Sequence, residues 1–285
     1  MNDNSSDLPH VSVGVRFHNM GHVPLLSRCL DSIAAQNDVT VHLLLALQNF
    51  TPEQEAEVKT VVQRALLGTG FDFELMNIHN PDGRDLRSAL LNSLVDYHYS
   101  AGRSDYLAFI DYDDIWFQNA LATLVEPLQL GKYVLSYADI HCADVFYDCG
   151  QTYLRDIQNI FNISQKTKRN LLQDNFLPLH SYMFQTARID RQLLRYDEDL
   201  IRLEDYDVLL RVAAQNPITG LHRSRLIGLY NFYSSRGEQM NSSRNVFLPP
   251  DDVVVDELWT QARHTVILRH SNAAWLEFAG EEWIK

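Results

Sequence analysis

Cysteine is scarce: Cys29, Cys142 and Cys149 are the only three in 285 residues, and none forms a C-x-x-C pair. That excludes a disulfide framework and a thiolate zinc site of ordinary spacing, and makes a reducing compartment the expected setting. Positive charge is also short. Lys and Arg number 24 against 37 Asp and Glu, a formal net charge of −13, which excludes a general nucleic-acid or anionic-membrane binder. An acidic protein of this kind needs a metal ion or a local cluster of Arg to handle an anionic ligand. No apolar run approaches the ~20 residues of a membrane-spanning helix. The opening MNDNSSDLPH lacks the basic and apolar regions of a secretory signal, so the cytoplasm is the expected location. With 12 Gly, 9 Pro and no low-complexity tract, collagen-like and disordered classes fall away. What remains is an ordinary globular chain, 46% apolar and long enough to bury a core of one large or two modest domains.

The first half repeats one pattern, an apolar β-prone run followed by an amphipathic helix. Val11 to Phe17, Thr40 to Leu47, Phe71 to Ile78 and Tyr106 to Ile110 read as strands. Behind them, Pro24 suits a first helical position, and Leu26, Cys29, Leu30 and Ile33 make one buried stripe. Thr51, Pro52 and Gln54 form a capping box that opens a second helix ending near Gly68. Leu86, Ala89, Leu90 and Leu94 mark a third. Asp114 is expected to cap a fourth, with Leu121, Leu124, Val125 and Leu128 inward. Four such alternations predict an α/β fold with a doubly wound, mostly parallel sheet, and ligands then bind beyond the strands' carboxyl ends.

Two segments carry chemistry. YLAFIDYDDIW runs an apolar strand directly into Asp111, Asp113 and Asp114. Asp111 and Asp113 are two apart, so extended backbone puts both on one face, where they repel unless a cation or ligand hydroxyl joins them. A hard divalent ion that keeps waters and substrate phosphates suits so few ligands. The plain alternative is a solvated turn, and their place at the strand's carboxyl end favours function. The second segment, YDEDLIRLEDYDVLLRVA, opens a helix with Glu204 and Asp205, while Asp207 is expected to make an ordinary surface pair with Arg211. The eleven histidines show no paired ligand spacing. His180, in LPLHSYMF, is a candidate to face an acceptor or a satisfied buried residue.

Over about residues 10 to 236 the chain resembles the family-2 glycosyltransferases of the GT-A, Rossmann-like fold. VSVGVRFHN followed by LLSRCLDSIAAQ is similar to that family's opening strand, its loop ending in Asn, and its first helix; FIDYDDIW resembles its metal-binding aspartate motif; the Glu204-Asp205 segment resembles its catalytic Glu-Asp motif. The resemblance implies Asp113 and Asp111 at a Mn2+ or Mg2+ ion and the donor ribose, and Asp205 as the base that takes the acceptor's proton. It also implies donor contacts from Phe17, His18, Asn19, Gln48 and Arg87, with Glu204, His180, Tyr233 and Arg236 as accessory candidates. The GRDLR run from Gly83 to Arg87 sits where the family places a Gly and an Arg near the donor. Two departures stand out. LALQNFT stands where the family has an acidic turn, which puts Gln48 and Asn49 in the expected place of the nucleotide base; an amide can pair with uracil, thymine or equally another base edge, and UDP or dTDP is expected ahead of GDP. Tyr233, in YNFY, stands in the usual His place.

The function this implies is inverting transfer of a hexosyl or deoxyhexosyl group from a nucleotide diphosphate-sugar to a glycan or glycolipid hydroxyl, in bacterial surface polysaccharide or glycoconjugate synthesis. No nucleic-acid partner is expected. Two other readings compete: an inactive nucleotide-sugar-binding scaffold, and a phosphohydrolase with Asp111 as nucleophile. The expected organisation is a polar arm (1–9), a donor-binding half (10–132), an acceptor-binding half (133–245) whose tyrosines Tyr137, Tyr147, Tyr153, Tyr182 and Tyr196 suit sugar faces, and a helical tail (246–285). In the tail Val255, Leu258, Trp259, Ala262 and Val266 recur at helical spacing, a stripe that needs a surface: the protein itself, a second copy, or, with Trp275, Phe278 and Trp283, the inner face of a membrane.

Overall fold

A computed structural model describes residues 8–80, 86–148, 151–233, 247 and 257–270. Its first half follows the expected alternation: β1 (His10–Phe17), α1 (Val23–Ala34), β2 (Thr40–Gln48), α2 (Pro52–Ala65), β3 (Asp72–Ile78), α3 (Arg87–Ala101) and β4 (Tyr106–Asp111). β1, β2, β3 and β4 pair in parallel. Val11, Val13, Val15 and the run Val41–Leu47 of β2 (apart from His42, which is buried too) are sealed on both faces, as a strand covered by helices on both sides must be. The Thr51 capping box is present with both reciprocal bonds, and the Leu26, Cys29, Leu30 and Ile33 stripe is completely buried.

The second half differs from the expectation in three ways. After β5 (Ile115–Trp116), α4 (Ala120–Gln129) and β6 (Leu135–Tyr137) come β7 (Asp139–Asp148), β8 (Gln151–Gln158), β9 (Tyr182–Gln185), α5 (Glu204–Gln215), β10 (Ile218–Thr219) and β11 (Leu226–Tyr233). First, β6, β9 and β10 join the main sheet, whose order is β10-β6-β9-β4-β1-β2-β3, with β9 antiparallel to both neighbours. The two halves expected to meet at residue 132 therefore share one sheet. Second, a separate four-stranded sheet, β5-β11-β7-β8, stands beside the first. Third, Asp114 caps no helix. Ile115 and Trp116 pair instead with β11 across Gly228, where a Cβ would run into the Ile115 carbonyl oxygen, and α4 begins only at Ala120 behind Asn119.

The tyrosines expected to present sugar faces are mostly interior. Tyr137, Tyr182 and Tyr196 are almost completely buried, and Tyr153 is exposed. Of the tail, α6 (Glu257–His270) packs on α5: Ala262 and Val266 are buried, while Leu258 is exposed. Polar contacts hold it as well. Arg269 reaches Asp197 at 2.6 Å, and His270 Nε2 lies 3.0 Å from Asp207 Oδ1. Asp207 is thus not a surface partner of Arg211; it is buried, bonded to Arg211 at 3.0 Å and to His270 together. Removing residues from Glu257 onward is expected to uncover the α5 face and lower both the thermal midpoint and solubility. A truncated chain with unchanged midpoint and elution volume would contradict that packing. Val255, Trp275, Phe278, Trp283, Cys149, Gly83 and Arg236 lie outside the described residues. Among the described residues no helix is long and apolar enough to cross a membrane.

Candidate active site

The two acidic segments are far apart in sequence and meet at the carboxyl ends of β1 and β4. The joint between them is Arg16, a single charge in the apolar strand VSVGVRF. In the parallel register Arg16 lies beside Asp111. Its Nε donates to Asp111 Oδ1 at 3.0 Å and its Nη1 to Glu204 Oε1 at 2.8 Å. Arg87, at the first turn of α3, holds its Nε 3.9 Å from the same Glu204 oxygen. Burial alone would raise the Asp111 carboxyl, but the adjacent Arg16 charge and hydrogen bond hold it below the ordinary carboxylate range. Two successive acids at the head of α5 are favoured by the helix dipole. Leu203, immediately before them, is in the left-handed region at φ 61°, a conformation that costs a non-glycine residue on the order of 1–2 kcal/mol and occurs mostly where a site demands it.

Asp113 and Asp205 behave oppositely to Asp111. Burial, then the neighbouring Asp111 charge, pushes Asp113 up to about 7. Burial, then Glu204, pushes Asp205 up to about 7, while its Oδ1 accepts the Tyr206 amide at 2.8 Å. Carboxylates poised near neutrality are what acid–base chemistry requires. Both are partly solvent-accessible. The phenol oxygens of Tyr182 and Tyr196 are buried with no hydrogen-bond partner among the described residues. Burial raises both phenols, with the Asp205 charge adding to it after burial for Tyr196 and after Tyr196 for Tyr182.

Other expected residues divide. His18 and Asn19 are exposed at the mouth: His18 meets the Tyr112 ring edge-on at 5.5 Å, and Asn19 Oδ1 accepts the Gly21 amide at 2.9 Å. Gln48 ends β2 half-buried. Beside it Asn49 takes φ 57° and its Oδ1 accepts the Asn80 amide, while Asn77 bonds both the N–H and the carbonyl of Phe50. The loop that would face a nucleotide base is therefore fixed. Phe17, in contrast, is completely buried between Phe50 and Tyr112, with ring centroids 5.5 and 5.1 Å away, so it supports the floor of the site and is not open to a donor. His180 is also completely buried. Its ring stacks on Tyr230, Nδ1 lies 3.2 Å from Asp114 Oδ2, and burial lowers it to about 4, so it is a neutral interior residue and faces no acceptor. Asp114, 2% exposed, accepts the Asn231 amide at 2.8 Å, and burial pushes it far above the carboxylate range.

Among the described residues no group of three or more His, Cys, Asp or Glu side chains converges as a metal site. The donor chemistry nonetheless fits a hard cation. Asp111 and Asp113 supply carboxylate oxygens only, and burial, then the nearby Asp111 charge, pushes the Asp113 carboxyl up. An ion such as Mg2+ or Mn2+ that binds one or two carboxylates and fills its shell with water and phosphate matches that set.

No family model matches the chain, and no curated protein sequence matches it. Solved structures do. TarS of S. aureus (residues 1–349) in complex with UDP superposes with a TM-score of 0.57 at 14% identity, over 78% of this chain and 60% of that one; the same protein with UDP-GlcNAc gives 0.57 at 14% identity, over 94% and 73%. The mannosyltransferase PcManGT from Pyrobaculum calidifontis, in complex with GDP-Man and Mn2+, gives 0.51 at 14% identity over 78% and 56%. The chain has a glycosyltransferase fold. It spans about 60% of the length of the UDP-bound TarS chain it matches.

No motif in the sequence marks Arg16, Asn231 or Arg28, whose Nη2 donates to the Asp113 main-chain carbonyl at 3.0 Å. Arg16 left a trace, a lone cation inside an otherwise apolar strand. Arg28 and Asn231 left none, since each reads as an ordinary helix-surface or strand residue.

Proposed function

We propose that the protein is a metal-dependent, inverting glycosyltransferase that moves a sugar from a nucleotide diphosphate-sugar, uridine or thymidine in preference to guanosine, to a hydroxyl of a glycan or glycolipid. The observation that carries this is the Arg16 bridge, 3.0 Å from Asp111 and 2.8 Å from Glu204, which joins the aspartate motif and the Glu-Asp motif at one place. The likeness to structures solved with UDP, UDP-GlcNAc and GDP-Man supports the donor class.

In this reading Asp113, with Asp111 beside it, holds the cation, whose chemistry is to neutralise the charge that develops on the departing diphosphate. Asp205, deprotonated, accepts the hydrogen of the acceptor hydroxyl as that oxygen bonds to the anomeric carbon. The bond from that carbon to the diphosphate oxygen breaks, its electron pair leaves with the nucleotide, and one displacement inverts the centre. Glu204, held by Arg16, orients the helix start. His18, Asn19, Gln48 and Arg87 line the donor side.

A phosphohydrolase needs Asp111 free to attack phosphorus, and the Arg16 bond to Oδ1 argues against it. A scaffold that only binds is separated by turnover. With Mn2+ present and no acceptor, slow release of nucleoside diphosphate from a donor panel is expected; binding with no release under any condition favours the scaffold.

The same carboxyls set a pH dependence. Asp113 and Asp205 titrate near 7 in the folded chain and about 4 when unfolded. Between those values the folded state binds more protons, so stability falls as pH rises. Asp111, held low, works in the opposite sense, and its contribution disappears only as pH falls below about 4. The thermal midpoint of chelator-treated protein is expected to drop from pH 5 to 7.5, and Mn2+ is expected to raise it at pH 7.5 but not at pH 5. A midpoint that rises over that interval would contradict the assignment.

A further inference from the structure

The main-chain carbonyl of Asp113 receives three hydrogen bonds from two separate elements. Asn231 Nδ2 of β11 donates at 2.7 Å, the Tyr233 hydroxyl of β11 at 3.0 Å, and Arg28 Nη2 of α1 at 3.0 Å. A carbonyl oxygen has two lone pairs, so three convergent donors exceed what an ordinary turn collects. The donors are also tied to one another. Arg28 Nη2 donates to the Tyr233 oxygen at 2.6 Å, so that oxygen accepts from Arg28 while its own hydrogen points at the carbonyl. The strand is fixed to the turn a second time, because the Asn231 amide donates to Asp114 Oδ1 at 2.8 Å, and the Asp114 amide closes the turn on the Asp111 carbonyl at 3.0 Å.

We propose that Arg28, Asn231 and Tyr233 are positioning residues that lock the Asp113 peptide and so aim its carboxylate at the divalent cation, with the Tyr233 phenol outside the cation's own ligand shell. The proposal rests on Asp113 being the metal residue. With its peptide plane held from both sides, the Asp113 side chain leaves the turn in one direction, and the cation meets a carboxylate that needs no reorganisation. Tyr233 suits this role better than ligation. One lone pair of its oxygen is taken by Arg28, its hydrogen is committed to the carbonyl, and burial keeps the phenol protonated. The guanidinium of Arg28 adds positive charge beside the carboxylates, and its bonds go to the carbonyl and the phenol, leaving the carboxylates for the ion.

The test is the affinity of the full chain for Mn2+ alone, read from the free-Mn2+ electron paramagnetic resonance signal, for the wild type and Tyr233→Phe, Arg28→Met, Tyr233→His and Asp113→Ala. Tyr233→Phe keeps the buried ring, and a thermal midpoint for each variant accompanies the titration. Tyr233→Phe and Arg28→Met are each expected to weaken Mn2+ binding about tenfold, the lower range for a residue that supports a metal ligand. The double variant is expected to lose little more than either single one, because both bonds belong to one relay. If the two single variants stay folded and bind Mn2+ within twofold of the wild type while Asp113→Ala loses it, the clamp is structural only and the proposal fails with the metal reading intact. If Tyr233→His binds more tightly and Arg28→Met is unchanged, position 233 belongs in the ligand shell and the proposal fails. If Asp113→Ala binds Mn2+ as the wild type does, the metal reading itself is overturned.

Discussion

Asp205→Asn is expected to lower kcat at least about 100-fold, the lower range for loss of a general base. The amide keeps the size and polarity of the carboxylate and can still accept the Tyr206 amide that now reaches Oδ1, so the helix start survives. What it loses is the capacity to take a proton. Because that task is performed only as the acceptor's oxygen bonds to the sugar, nucleotide affinity should move by less than about twofold. The wild-type rate should also rise with pH through about 7, where Asp205 titrates, and that limb should vanish in the variant. The check is acceptor-dependent transfer across pH beside calorimetric donor binding. Full turnover in Asp205→Asn would refute the base, and lost donor binding would move Asp205 to the metal.

Arg16→Met should be the most damaging single change to stability at the site. It keeps much of the side chain's length and leaves Glu204, 2% exposed, and Asp111 without the cation they share. Removing one partner of a buried ion pair typically costs about 3–5 kcal/mol, and the lower end is expected here because Arg87 remains 3.9 Å from Glu204. The loss should shrink as pH falls, because Asp111, which Arg16 holds low in the wild type, takes up a proton more readily once that charge is gone. Adding Glu204→Gln to the variant should recover part of the loss, since one of the two stranded charges is then gone. Denaturant midpoints for the two single variants and the double measure this directly. Strict additivity would show that Arg16 and Glu204 do not act as a pair.

The first half of the fold was legible because its physics is local. Parallel strands sealed on both faces read as unbroken apolar runs, and the Thr51 capping box is written within four residues. The second sheet was not. β8 is exposed at nearly every position, so QTYLRDIQ carries no period, and β5 is two residues long and exists only because β11 lies against it. That same pairing defeated the reading of Asp114: an acid ahead of a helical stripe looks like a cap, but a strand intervenes and turns its carboxyl inward to Asn231. At the site, the carboxylates were visible because like charges at a strand's end demand a reason. Their cation was not, because Arg16 is 95 residues from Asp111 and 188 from Glu204. Phe17 failed for a related reason, since residue type does not say whether a ring forms the wall of a site or the core beneath it, and His180 took the buried one of its two readings.

In the proposed function Asp111, Asp113, Glu204 and Asp205 form one site that holds a nucleotide diphosphate-sugar through a divalent cation. Isothermal titration of uridine, thymidine and guanosine diphosphate-sugars into the protein, with Mn2+ and then with a chelator, tests it most directly. Saturable binding of a uridine or thymidine donor is expected with Mn2+, much weaker binding with the chelator, and loss of the Mn2+ effect in Asp113→Ala. Binding of no donor in either condition, or equal binding with and without the cation, would contradict it.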